Sequence, residues 1–429
     1  MQVKELSVNS GALKLAEADG LRSQQNEPAA RTVFAARFIA ALLLFFIVDI
    51  VIKIDFRLDP FDIPERSFIW WAVKDYRQLK QAPDILLFGS SLMLAGVNVG
   101  DAAHYKKAVD TAQHHYSSYL AELLKNRYGS AISNFCFAIG GQMASDVYAI
   151  TTNFVSEKYK PRLIVWGIAP RDLIDAAFPG VTTSDTASYM NKIAGKEIVI
   201  EEHKTLNFFI DQFLRKYLFM YTARDNFLSS LKQSMRKLQI QQAAWITSLE
   251  RRDNGDVVPP PGRQKMLREL MNPRDGTMGD IEVGEWLIGA SSEPSKTLVD
   301  NTSEYLVRYN PFKPKTFAAQ RNYMEKFLQQ QNDLSVKVLL VNMPLTGVNM
   351  SLLPAPTYGT YLYTLRTLAK KYNADILDLN GDPRFNQSDF FDTAHLNGLG
   401  GQKFIEALST DNRLAISSKE ALSAGDHSL

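Results

Sequence analysis

The chain predicts an α/β fold: a three-layer α/β/α arrangement in which helices cover both faces of a parallel sheet. Three observations lead there. Short apolar runs alternate with helical stretches over residues 81–174 and again over 332–410. A long middle segment, 175–331, breaks that rhythm. One strongly apolar stretch, 33–54, stands ahead of everything else. With 429 residues, of which 45% are hydrophobic and 22% charged, the chain has the composition of a folded protein long enough for a domain with an insertion.

Residues 1–32 are polar and without hydrophobic periodicity, which predicts a flexible N-terminal tail. Val33 to Ile54 follows, with Phe38-Ile-Ala-Ala-Leu-Leu-Leu-Phe-Phe-Ile-Val48 at its centre. A transmembrane helix needs about 20 mostly apolar residues, and this stretch supplies them with Arg37 and Lys53 placed to snorkel to the two interfaces. Asp49 is the awkward residue; hydration near the interface or pairing with Lys53 one turn on would accommodate it. A cleaved signal peptide fits less well, because the preceding polar segment is long and no small-x-small site follows. A buried core helix fits less well, because the run is longer than most core helices and lacks a polar face. Lys4, Lys14, Arg22, Arg31 and Arg37 precede the apolar centre of the stretch, whereas Lys53 and Arg57 follow it. The positive-inside rule then gives a single-pass inner-membrane protein with a cytoplasmic N-terminus and a periplasmic or extracytoplasmic C-terminal domain.

Residues 55–80, with Phe68, Trp70 and Trp71, are expected to be a connector along the membrane surface. Predicted strands are Ile85–Phe88, Ile132–Phe137, Leu163–Trp166, Val336–Val341 and Ala374–Leu379. Predicted helices are Ser117–Tyr128, Ser145–Tyr159, Tyr358–Lys371 and Gln402–Leu408. The middle is expected to be a mostly helical insertion. It carries an amphipathic stretch from Leu206 to Leu249, a Pro-Pro-Pro-Gly breaker ending at Gly262, and a helix over Thr316–Gln331. Its apolar face is either packing or a lid or partner surface beside the active site. Residues 411–429 form the expected C-terminal tail.

The formal net charge is +2 with no long block of one sign, which argues against a nucleic-acid-binding face. The single cysteine, Cys136, excludes an intrachain disulfide, a CxxC pair and a Cys-rich zinc site. No Gly-x-Gly-x-x-Gly or Gly-Lys-Ser/Thr loop follows the first strand, so dinucleotide and P-loop chemistry are not indicated. No metal or cofactor is expected.

Two motifs carry chemistry. Asp84-Ile-Leu-Leu-Phe-Gly-Ser-Ser91 is a buried strand running into a Gly-Ser-Ser turn. Ligands of open α/β sheets bind at the carboxyl ends of strands, where Ser91 would be presented. Gly-Ser-Ser is also a common turn. Near the C-terminus stands Phe390-Phe-Asp392-Thr-Ala-His395. A serine hydroxyl needs a base to become a nucleophile, and the imidazole needs a carboxylate to fix its tautomer. Asp392 is three residues from His395, close enough to reach Nδ1. Either motif alone is weak; the pair is stronger. The adjacent His114 and His115 cannot easily face one site and are expected on a solvated approach to a helix.

These motifs resemble the SGNH/GDSL hydrolase superfamily, whose fold is flavodoxin-like. Gly89-Ser90-Ser91 matches its first block, with Ser90 where many members have Asp. Asn134-Phe-Cys-Phe-Ala-Ile-Gly-Gly141 resembles the second, whose glycine donates an oxyanion-hole N–H, here Gly141 with Gly140 beside it. Asp392-Thr-Ala-His395 matches the last. The third block departs: Gly167-Ile-Ala-Pro-Arg-Asp172 lacks the usual Asn, and Arg171 stands near its place. Arg171 is either an oxyanion or anion contact or a surface arginine paired with Asp172. The resemblance implies a catalytic set of Ser91, Asp392 and His395, with an oxyanion hole from Ser91, Gly141 and Arg171.

The layout is similar to the membrane-anchored branch containing the D-alanine transfer protein and the alginate O-acetylation proteins. That resemblance implies a serine esterase or O-acyltransferase on acylated cell-surface or exported polysaccharide. It also implies a membrane-embedded acyltransferase or polymer-export partner. The alternative is an inactive SGNH-like subunit that binds glycan or assembles an export or acylation complex.

Overall fold

The computed structural model describes residues 33–54, 66–155, 159–177, 184–193, 206–221, 287–288 and 294–414, with Phe61, Arg224, Met235 and Leu238. The expected tail at 1–32, the start of the connector, the greater part of the insertion between 222 and 293, and the chain beyond 414 lie outside the described residues. Two compact units are present: Met1–Asp59 with Leu206–Asp225, and Pro60–Thr205 with Asn226–Leu429.

The second unit is the α/β domain. Its sheet has five parallel strands: β1 (Ile85–Gly89), β2 (Asn134–Cys136), β3 (Leu163–Ile168), β4 (Lys337–Asn342) and β5 (Asp375–Asp378). Their spatial order is β2-β1-β3-β4-β5. β1 and β3 are buried along their whole length, as continuous apolar runs covered on both faces must be. The order reverses between β1 and β3. In doubly wound sheets of this order the ligand crevice opens at that switch point, outside the carboxyl ends of the strands.

In the first unit, α1 (Val33–Ile54) is a 22-residue helix of mean hydropathy 2.5, long and apolar enough to cross a membrane. Only 6% of its apolar window is buried, which overturns the core-helix alternative. Asp49 is 3% exposed. Its carboxylate accepts the backbone amides of Phe219 at 2.9 Å and Met220 at 2.6 Å.

The connector is corrected too. α2 (Phe68–Arg77) buries Phe68, Ile69, Trp70, Ala72, Val73 and Tyr76 in the main core, so it belongs to the α/β domain. Helix α3 (Ser91–Tyr105) escaped prediction. Eleven of its residues are buried, so it has no polar face to give it a period. Next come α4 (Ser118–Tyr128), N-capped by Ser117, and α5 (Ala144–Phe154), which stops short of the expected Tyr159. Short helices α6 (Arg171–Ile174) and α7 (Asp185–Lys192) follow β3, and α8 (Leu206–Tyr217) belongs to the first unit.

The expected insertion ends earlier than 331. α9 (Thr302–Tyr309) buries Tyr305 and Tyr309, and the 20-residue α10 (Pro314–Asp333) buries Tyr323, Met324, Phe327 and Leu328 in the main core. Both are part of the α/β layer. The chain closes through α11 (Gly347–Ser351), α12 (Thr357–Lys371) and α13 (Gly398–Thr410). α13 lies against α3 with almost no separation: a Cβ on Gly401 would meet the Gly100 nitrogen at 2.6 Å. The tail begins later than 411, because Asn412–Leu414 forms a turn that buries Leu414.

Candidate active site

β1 ends at Gly89, whose φ of +151° and close neighbours admit no side chain; a Cβ there would lie 2.5 Å from the Gly167 carbonyl oxygen on β3. The chain turns at Ser90, and Ser91 opens α3. The Ser91 amide is therefore among the first N–H groups of a helix, which have no intrahelical acceptor. Gln142 braces this turn from β2's side. Its Oε1 accepts the Gly89 amide at 2.8 Å, and its Nε2 donates to the Phe137 carbonyl at 2.9 Å.

His395 arrives from the loop after β5. Its Nε2 is 2.8 Å from Ser91 Oγ, and its Nδ1 is 2.8 Å from Asp392 Oδ2. The other carboxylate oxygen, Oδ1, accepts the amides of Ala394 at 2.8 Å and His395 at 2.7 Å. Burial pushes the Asp392 carboxyl up, but the His395 ring and these two amides outweigh it and hold the group below its ordinary value. Asp392 is thus an ionised acceptor for the imidazole.

The loop between the two is fixed by its neighbours. The Phe391 amide donates to the His395 carbonyl at 2.8 Å, and the Asn397 amide donates to the Asp389 carbonyl at 2.9 Å. Thr393, between Asp392 and His395, donates its hydroxyl to Asn301 Oδ1 at 2.5 Å. Its own Oγ1 accepts from Asn349 Nδ2 at 3.1 Å, and its carbonyl accepts the Thr346 hydroxyl at 2.7 Å.

Ser91 and His395 lie on the wall of a cavity of about 280 Å³. Gly140 and Gly141 line it, Gly141 with a φ of +79°. So do Asp146, Arg171, Asp185, Thr186, Glu304 and Arg308, which place charged and hydroxyl groups on its wall. The structure thereby brings Ser91, His395, Asp392, Gly141 and Arg171 to one place.

Arg171 is not a surface arginine: it is 4% exposed. Its Nε donates to Asp175 Oδ2 at 2.9 Å and its Nη1 to Asp172 Oδ1 at 3.3 Å. The same Asp175 oxygen receives Arg308 Nη1 at 2.7 Å, and Arg308 Nη2 reaches Glu304 at 2.7 Å. Burial pushes Asp172 up to about 6 against the pull of Arg171. Burial also pushes Asp146 up to about 7, opposed by hydrogen bonds from the Ser184 hydroxyl and the Met143 amide.

Sequence reasoning missed Gln142, the Thr393 anchors and the wall residues Asp146, Glu304 and Arg308. It also misjudged the adjacent histidines. His115 is buried, and burial pulls its imidazole down to about 4. His114 is half-buried, with Nε2 2.7 Å from Asp101 Oδ2.

No family model matches the chain, and no curated protein matches it. Among solved structures it is similar to an acetyl xylan esterase at 13% identity and a TM-score of 0.30, over 76% of this chain and 97% of that one.

Proposed function

We propose that the chain is a membrane-anchored serine esterase or O-acyltransferase of the SGNH type, acting on acylated cell-surface or exported polysaccharide. The observation that carries this reading is the continuous hydrogen-bonded line from Ser91 Oγ through His395 to Asp392, with both links at 2.8 Å. A serine hydroxyl so placed transfers its proton to Nε2 as Oγ attacks an ester carbonyl, while the carboxylate holds the Nδ1–H tautomer and stabilises the imidazolium. The amides of Ser91 and Gly141 are the proposed oxyanion donors, with Arg171 as the third. Collapse of the tetrahedral species expels the alcohol, which takes the proton from His395 Nε2 and leaves an acyl-Ser91. His395 then deprotonates the acceptor, which attacks the acyl carbon and releases Ser91. Water as acceptor makes the protein an esterase, and a sugar hydroxyl makes it a transferase.

The polar side chains on the cavity wall support a glycan as the acylated group. Asp146, Asp185, Glu304 and the two arginines offer donors and acceptors suited to hydroxyls. α1 supports an anchor in the membrane; the excess of Lys and Arg on its N-terminal side supports a cytoplasmic N-terminus and a periplasmic α/β domain. A membrane-embedded acyltransferase or polymer-export protein is the proposed partner.

A fluorophosphonate probe on the full-length protein in detergent tests the mechanism. Covalent labelling of the wild type, absent in Ser91→Ala and strongly reduced in His395→Gln, is expected. A folded wild type that takes up no label would refute the serine mechanism and leave the glycan-binding or assembly subunit as the better reading.

A further inference from the structure

We propose that residues 206–220 make a second, non-spanning contact with the lipid bilayer, docked to the C-terminal part of α1 through Asp49. The inference rests on reading Val33–Ile54 as a membrane span.

A helix packed on protein turns its apolar stripe inward. α8 does the reverse. Leu206 is 74% exposed, Phe209 53%, Ile210 47%, Phe213 60% and Tyr217 59%. At helical spacing these five share one face. An exposed face of that kind marks an interaction surface. Its 12 residues extend about 18 Å, against about 30 Å of hydrocarbon, so α8 is too short to cross.

Asp49 decides what covers that face. It is the one buried residue of α1, and it stands five residues before Ile54, about 8 Å down the helix axis. An ionised carboxylate at that depth is costly unless its oxygens find donors. The amides of Phe219 and Met220 supply two, as charge-assisted bonds of 2.9 and 2.6 Å. These amides follow directly on α8, after a break at Leu218. The segment is thereby fastened below the end of the span, and the apolar face of α8 continues the lipid-facing surface of Val48, Ile50 and Val51, which are all exposed. Lipid is the occupant that covers both at once.

Single nitroxide labels on the full-length protein, reconstituted in phosphatidylethanolamine/phosphatidylglycerol vesicles, test this. Cys136 is buried with its thiol pushed up to about 12, so introduced cysteines are labelled selectively. Labels at Phe209→Cys and Phe213→Cys are expected to collide more with oxygen than with a water-soluble nickel chelate, as at Leu44→Cys in mid-span. Tyr105→Cys, exposed on the α/β domain, is expected to favour the chelate. Chelate-favoured labels at 209 and 213 beside an oxygen-favoured label at 44 overturn the proposal and leave the span standing. Labels at 209 and 213 shielded from both reagents overturn it in favour of a second copy of the chain. A chelate-favoured label at 44 overturns the span reading and the proposal with it.

Discussion

Gln142 joins the Gly89 amide, 2.8 Å from its Oε1, to the Phe137 carbonyl, 2.9 Å from its Nε2, and so ties the end of β1 to the chain that follows β2. Gly89 is two residues before Ser91, so this side chain sets where the hydroxyl stands, and it also lines the cavity. Gln142→Leu keeps the volume and removes both bonds, stranding a buried donor and a buried acceptor at about 1–3 kcal/mol each. We expect a lower melting temperature and slower fluorophosphonate labelling, with Gln142→Glu restoring part of the labelling rate through the Gly89 bond. A Leu variant that loses stability but labels at the wild-type rate would make Gln142 a structural residue only.

Asp146 gives a pH dependence with a definite sign. Its folded value is about 7, above the ordinary value of 3.8, so the folded state holds the proton more tightly. The stability it contributes is complete below about pH 4 and is lost as pH rises through about 7. Asp146→Asn imitates the protonated side chain and can still meet Ser184 and the Met143 amide. The melting temperature of the variant minus that of the wild type should therefore be more positive at pH 8 than at pH 5. An equal difference at both pH values would show that Asp146 is already ionised at the lower one.

Asp49→Ala removes the acceptor of the Phe219 and Met220 amides without touching the apolar surface of α1. Backbone hydrogen exchange over 218–221, followed by mass spectrometry on the protein in nanodiscs, should accelerate by about tenfold or more, since a charge-assisted bond contributes ~1.5–3 kcal/mol. Exchange as slow as in the wild type would mean that these amides are protected by something other than the carboxylate.

The five strands were legible because buried parallel strands leave compact apolar runs such as Ile85-Leu-Leu-Phe88 and Leu163-Ile-Val-Trp166. The Asp392–His395 pair was legible because three residues suffice to bring the carboxylate to Nδ1. What stayed hidden is built from long-range partners. Thr393 is held by Asn301, Thr346 and Asn349, and Asp49 by amides 170 and 171 residues away. No local pattern announces such pairs, since topology alone creates them. α3 was hidden for another reason: burial on nearly every side erases the amphipathic period. The cavity wall around Glu304 and Arg308 was hidden because α9 lies in a stretch that reads as insertion.

The contact between Gly100 and Gly401 joins the first helix after β1 to the last helix of the domain. A ribosome delivers these two surfaces 301 residues apart (401 − 100). Until residue 401 has left the exit tunnel, α3 lacks the face that covers it, and the Ser91 hydroxyl has no imidazole beside it. Until then the hydrogen-bonded line from Ser91 is incomplete, and the apolar helix needs shelter for that whole interval.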